Sequence, residues 1–226
     1  MKKRDIYLLS PLQAEGTISL PMISFSLASD RLYLDGCDTL IFTSKQAVKS
    51  AERIDPGWKK YPTIAVGPAT KKEIEALGGR VIYHPSSFYG ESLSRDIVRY
   101  FKDKKLLYLR PRKVSFDTKA YLENAGVELQ EQVIYQTSCV PYPAEKAPTK
   151  GAIIIFTSPS TMECFFKNFE WDESYTAVLI GEATKAYLKN GMRYVIADKP
   201  LIRSCIEKAK SLLEAPLGSG KSSFLL

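Results

Sequence analysis

The sequence predicts an α/β protein with two similar doubly wound parallel-sheet lobes, joined by a two-stranded β-ladder and with a cleft between them. Three observations predict it. Leu40-Ile-Phe-Thr-Ser-Lys-Gln-Ala47 returns as Ile154-Ile-Phe-Thr-Ser-Pro-Ser-Thr161, each a short apolar strand running into a helix with Phe-Thr-Ser at the joint. Ala65-Val-Gly-Pro-Ala-Thr70 returns as Leu179-Ile-Gly-Glu-Ala-Thr184, and both pairs keep a separation of 114 positions, from Ser44 to Ser158 and from Thr70 to Thr184. Strands and helices alternate through both copies, the pattern of parallel sheets covered on both faces. A period this long is no solenoid repeat; it is a duplicated small domain.

In chain order, Ile6-Tyr-Leu-Leu9 is a strand, and Met22–Ala28 alternates Ile23, Phe25 and Leu27 with serines, a half-exposed strand. The stretch between them carries Pro11 and Gly16 and is too short for a full helix. The first copy then reads as strand 39–42, helix 45–54, strand 63–66, helix 69–77 closed by Gly78-Gly79, strand 81–83, helix 92–101, strand 106–109 and helix 115–124. Glu131–Val140 is extended, with Val133, Tyr135, Thr137 and Cys139 on one face. The second copy reads as strand 152–156, a helix burying Met162, Phe165, Phe166 and Phe169, strand 177–180, helix 183–190, strand 194–197 and a last helix through Leu213. That copy is one strand short, and Ile6–Leu9 is spare. The economical arrangement is a discontinuous lobe of residues 1–22 plus 140–226, an inserted lobe of residues 29–132, and crossing strands at 23–28 and 133–139 that form the ladder and a hinge.

With 226 residues, 45% apolar and 25% charged, the chain can bury two cores of ordinary soluble type. No apolar run reaches the ~18–20 residues that span a bilayer, and the N-terminus has no signal core, so a cytoplasmic location and no membrane partner are expected. The single histidine, His84, argues against a histidine metal centre or a Ser-His-Asp triad, and no metal or cofactor is expected. Cys37, Cys139, Cys164 and Cys205 are scattered without a C-x-x-C pair and read as reduced thiols. The net charge of +7 favours an anionic partner. Without a long basic run or an arginine–aromatic stripe, a polyanionic small molecule fits at least as well as nucleic acid. Ala215-Pro-Leu-Gly-Ser-Gly-Lys-Ser222 fits a relaxed phosphate-loop pattern, but a helix precedes it and the sequence stops too soon for the helix that mechanism needs, so it reads as a flexible tail.

In open α/β sheets ligands sit beyond the C-terminal strand ends, against helix N-termini. Every repeated motif lies at such an end. Ser44 and Ser158 are placed to cap the following helices, and Thr70 and Thr184 open the next ones after Gly67 and Gly181. Free N–H groups at a helix start suit carboxylates as well as phosphates. Plain capping explains any one of the four; four at equivalent positions favour a shared polyanion. Lys45, Lys71, Lys72, Arg110, Arg112, Lys113 and Lys185 fall near strand ends too, with Lys45 and above all Arg110, closest to its strand, as candidates for binding and solvated helix faces as the alternative for the rest. Tyr135, on a crossing strand, could offer its hydroxyl as a proton donor, or serve as a buried cross-strand aromatic opposite Phe25.

Ile41-Phe-Thr-Ser44, Val66-Gly-Pro-Ala-Thr70, Val133-Ile-Tyr-Gln-Thr137, Phe156-Thr-Ser-Pro-Ser160 and Ile180-Gly-Glu-Ala-Thr184, in this order and spacing, resemble the uroporphyrinogen-III synthase family over about residues 5–213. The resemblance implies two α/β lobes joined by a two-stranded ladder, and cyclisation of the linear tetrapyrrole hydroxymethylbilane to uroporphyrinogen III, a hydro-lyase reaction of haem biosynthesis without metal or organic cofactor, in a monomeric enzyme. It implies that Tyr135 assists departure of the substrate hydroxyl and that Ser44, Thr70, Ser158 and Thr184 are polar substrate-binding positions. The stretch between Ile6 and Ile23 departs from the family in being too short for its usual first helix. A non-catalytic bilobed binder of carboxylates or phosphates is the competing class.

Overall fold

The computed structural model describes residues 4–85 and 90–214, so the phosphate-loop-like segment 215–222 lies outside the described residues. Two compact units are present, residues 25–137 and residues 1–24 with 138–226.

In the unit of residues 25–137 the elements are β4 (Thr39–Phe42), α1 (Lys45–Ile54), β5 (Pro62–Ala65), α2 (Pro68–Ala76), β6 (Arg80–Tyr83), α3 (Gly90–Tyr100), β7 (Leu106–Pro111), α4 (Thr118–Asn124) and most of β8 (Leu129–Cys139), with β3 (Ile23–Leu27) entering it. They form a six-stranded sheet in the order β3-β8-β7-β4-β5-β6. β4 is buried at all four positions and pairs in parallel with β5 and β7. Its residues alternate between two cores. Leu40 and Phe42 pack with Leu107, Leu109, Ala47, Val48 and Ala51 of α1 on one face. Ile41 packs with Tyr108, Leu93, Ile97 and Leu122 on the other, so period-2 alternation here sorts two apolar faces rather than an apolar from a polar one. Ala28 N–H bonds the Ile134 carbonyl at 3.0 Å where β3 adjoins β8.

In the other unit β1 (Ile6–Leu8), β2 (Ile18–Ser19), β9 (Ile153–Phe156), β10 (Thr176–Leu179) and β11 (Tyr194–Ile196) make a parallel sheet in the order β11-β10-β9-β1-β2. The spare N-terminal strand does complete this sheet, pairing in register with β9 from Ile6–Ile153 to Leu8–Ile155. α5 (Pro159–Asn168), the single-turn α6 (Glu182–Lys185) and α7 (Ile202–Glu214) cover it. Tyr7, Ile154 and Phe156 face Met162 and Phe165 of α5, while Ile6, Leu8, Ile153 and Ile155 face Cys205 and Ala209 of α7.

Three expectations need correction here. The first concerns the thiols: Cys139 and Cys164 are bonded as a disulfide, their Cα atoms 5.2 Å apart, while Cys37 and Cys205 are free. Sequence spacing could not show that the end of β8 runs past the second turn of α5. The expected helix 183–190 shrinks to one turn, because Tyr187 and Leu188 enter tight turns back to Thr184 and Lys185. Helix 115–124 starts only at Thr118, where the Asp117 side chain accepts the Ala120 N–H. As expected, no helix forms between Ile6 and Ile23; the chain instead adds β2 as a short exposed edge strand.

Candidate active site

The Phe-Thr-Ser joint of the first copy sits at the C-terminal end of β4. Ser44 is extended (φ −157°, ψ 155°) and caps α1, its Oγ accepting the Ala47 N–H at 3.0 Å. The same oxygen lies 2.9 Å from the Tyr135 hydroxyl. A serine oxygen holds one proton and two lone pairs. With Ser44 accepting from Ala47 and donating to Tyr135, the phenolic proton of Tyr135 remains available to a third group.

Tyr135 reaches this position through a break in strand register. β7 and β8 pair from Leu106–Leu129 to Arg110–Val133, and then Pro111 pairs with Tyr135, leaving Ile134 as an extra residue. As a result Ile134 and Tyr135 pack into the same core, which corrects the strict alternation of Val133, Tyr135, Thr137 and Cys139 expected from sequence. The Tyr135 ring is 5% exposed and meets the Phe25 ring edge-on at 6.0 Å. Burial pushes the Tyr135 hydroxyl above the usual tyrosine range, and the Ser44 hydrogen bond opposes that shift. The group therefore acts as a neutral hydrogen-bond donor at any ordinary pH.

A second tyrosine approaches from the opposite face of the sheet. Tyr108, 3% exposed, places its hydroxyl 2.8 Å from Thr43 Oγ1. Burial pushes Tyr108 up to about 12. Thr43 and Ser44 are thus held from both faces, by hydroxyls from two neighbouring strands.

Arg110 is the next-to-last residue of β7, its side chain only 21% exposed. Its Nε lies 3.0 Å from Glu131 Oε2, though the N–H is not aimed along that line, and Nη1 donates to the carbonyls of Pro111 and Arg112 at 3.1 and 3.3 Å. Lys45, at the first position of α1, is exposed and has no ion pair among the described residues. Thr70 stands third in α2 after the extended Gly67 and Pro68, and its side chain is buried. In the second unit Ser158 caps α5 by a reciprocal capping box with Thr161, and Thr184, third in α6 after Gly181, is 1% exposed. Of the expected site residues, the structure brings Ser44 and Tyr135 into direct contact. Ser158 serves as a cap, and both threonines turn inward. Lys185 pairs with Glu182 at 3.9 Å and lies 5.9 Å over the Tyr194 ring, and Lys71 pairs with Glu75 at 3.8 Å, as solvated helix-face residues do. No cluster of three metal-ligating side chains exists among the described residues.

The residues that sequence reasoning missed are Thr43, Tyr108 and Glu131. Thr43 lies inside the repeated triplet, but the capping pattern singles out its neighbour Ser44. Tyr108 reads as one more core residue of an apolar strand, because its register against β4 is invisible in sequence.

The sequence profile described as "Uroporphyrinogen-III synthase HemD" matches residues 12–207. The chain belongs to the uroporphyrinogen-III synthase family. Among curated proteins, this family member is 31% identical over 152 residues to the porphyrin biosynthesis protein HemD of Ruminiclostridium josui. That match covers 63% of this chain and 30% of the relative, so the chain spans less than a third of the curated protein it matches. The crystal structure of uroporphyrinogen-III synthetase from Helicobacter pylori superposes with a TM-score of 0.78 at 26% identity, covering 92% of this chain and 99% of that one. A mutant uroporphyrinogen III synthase from Thermus thermophilus shares the fold, with a TM-score of 0.59 at 12% identity over 93% and 99% of the two chains.

Proposed function

We propose that this synthase-family chain converts hydroxymethylbilane to uroporphyrinogen III, with loss of water and inversion of the last pyrrole ring. The observation that carries the reading is the Ser44–Tyr135 pair at the end of β4, inside a chain of this family. Departure of the substrate's terminal hydroxyl leaves an azafulvene cation stabilised by its own pyrrole nitrogen. The electrophile is intrinsic to the substrate, so the protein contributes assistance to that departure and control of geometry.

Tyr135 donates a hydrogen bond to the leaving hydroxyl. Its raised pKa makes it a poor source of a fully transferred proton, so it lowers the barrier by stabilising the partial negative charge on the departing oxygen. The already substituted carbon of the last ring then attacks, a spiro intermediate forms, and fragmentation with reclosure inverts the ring. Closure at the free α-carbon instead gives isomer I. Selectivity is the difference between two barriers, and about 1.4 kcal/mol changes it tenfold. Substrate carboxylates bind at the strand end and helix start that carry Ser44, Lys45 and Arg110, whereas Ser158 caps α5 and the Thr70 and Thr184 side chains are buried at the starts of α2 and α6. A cytoplasmic location, a monomeric state and activity without a cofactor accompany this reading.

The test is product analysis after incubation with hydroxymethylbilane. Isomer III in excess over isomer I is expected; isomer I at its spontaneous proportion sinks the reading. Tyr135→Phe should retain the fold and lose about tenfold or more in kcat; full activity would leave the tyrosine with positioning alone.

A further inference from the structure

The Thr43–Tyr108 pair plays no part in the reaction outlined above, yet it is the nearest polar neighbour of the joint that carries Ser44. Tyr108 pairs with Ile41 across β4 and β7, and its side chain extends along the same face to Thr43, two residues further on. Ser44 turns to the opposite face, where α1 and Tyr135 lie. Two consecutive residues are therefore each tied to a different tyrosine, one on either side of the sheet. Such a pair of bonds fixes the rotation of the 43–44 segment about the strand axis, and with it the direction in which Ser44 Oγ points.

The chain offers its own control. The second copy of the triplet, Phe156-Thr157-Ser158, ends its strand in the same way, but among the described residues its only side-chain bonds are those of the Ser158–Thr161 capping box. A helix start in this fold needs only the cap. The additional tyrosine bond occurs at the joint where a catalytic hydroxyl must be aimed. A position that required only apolar volume would be filled as well by phenylalanine, which carries no hydroxyl to desolvate.

We infer that Tyr108 is a positioning residue, acting through Thr43 to hold Ser44 in line with the Tyr135 hydroxyl. This rests on the functional reading above. Its mechanism is orientation: with the Tyr108–Thr43 bond removed, Ser44 rotates more freely, donates to Tyr135 for less of the time, and leaves the phenolic proton of Tyr135 satisfied by Ser44 rather than presented to the substrate.

The experiment compares wild type with Tyr108→Phe, Thr43→Val and the double variant, measuring kcat, KM and the isomer III fraction. Tyr108→Phe keeps the ring and its packing. About a fivefold to tenfold fall in kcat is expected, with KM within about twofold and a larger share of isomer I. Thr43→Val should reproduce this, and the double variant should be no worse than either single one. Unchanged kcat in a folded Tyr108→Phe overturns the inference, as do additive losses in the double variant. Should wild type itself produce only isomer I, the functional reading fails separately. The crystal structure of Tyr108→Phe then decides the positioning claim: a Ser44–Tyr135 contact that stays within hydrogen-bond distance in a single conformer overturns it, and a lengthened or split contact supports it.

Discussion

At Tyr135, burial and hydrogen bonding oppose each other, and burial prevails. The hydroxyl keeps its proton at every pH at which the protein would work, so no alkaline limb in the activity profile below about pH 9 should arise from its ionisation. A limb there that vanishes in Tyr135→Phe would contradict this. Tyr108 permits a sharper statement. It is held at about 12 in the fold, against about 10 for a tyrosine in the unfolded chain. Because its folded value is raised, its stabilising effect is complete below about pH 10 and is lost as the pH rises towards 12. The urea midpoint should fall over that window, and fall less steeply in Tyr108→Phe; parallel curves for the two proteins would show that Tyr108 is not the group responsible. Of these residues, sequence alone picked out Ser44 and Tyr135. It could not join them, since they are 91 positions apart.

At the scale of elements, α2 ends as the paired glycines suggest. Gly78 adopts φ +87°, Gly78 N–H bonds the Glu75 carbonyl and Gly79 N–H that of Ile74, which gives two of the last carbonyls their donors. Gly79 has a second reason to be glycine. A Cβ there would stand 2.5 Å from Trp58 Cζ3 and 2.8 Å from Ile74 Cγ2, inside a core with no room to give. Gly79→Ala should cost about 1–3 kcal/mol by overpacking and lower the urea midpoint, whereas Gly151→Ala is strained only by its backbone. The disulfide belongs to the same scale. It closes a loop across 25 positions between β8 and α5, and in the chain-entropy account such a loop stabilises by about 3.5 kcal/mol. Thermal midpoints should fall on adding dithiothreitol to wild type and should not respond in a Cys139→Ser, Cys164→Ser double variant. Identical behaviour of the two proteins would mean the thiols are not bonded in solution.

For the whole molecule, the consequence of the topology is that one unit is continuous in sequence and the other is not. Residues 25–137 contain β4 to β7 with both covering layers, so a fragment of this span should fold alone, with cooperative unfolding and dispersed amide resonances. The remaining unit needs both termini. Deleting residues 1–9 removes β1 from between β9 and β2, and should abolish cooperative folding of that unit while the other survives. A single transition, lost entirely in the deletion variant, would show that the units do not fold separately.

The duplicated motifs, the apolar strands and the need for a strand from the far end of the chain were all legible in the residues themselves. Each depends on local alternation and spacing, which the backbone enforces wherever it folds. The joint at Thr43–Ser44, the bulge that aims Tyr135, the tyrosine behind Thr43 and the bond from Cys139 to Cys164 depended on which strand lies beside which and in what register. Those contacts arise from the packing of whole sheets and helices against each other, so only the folded chain decided them.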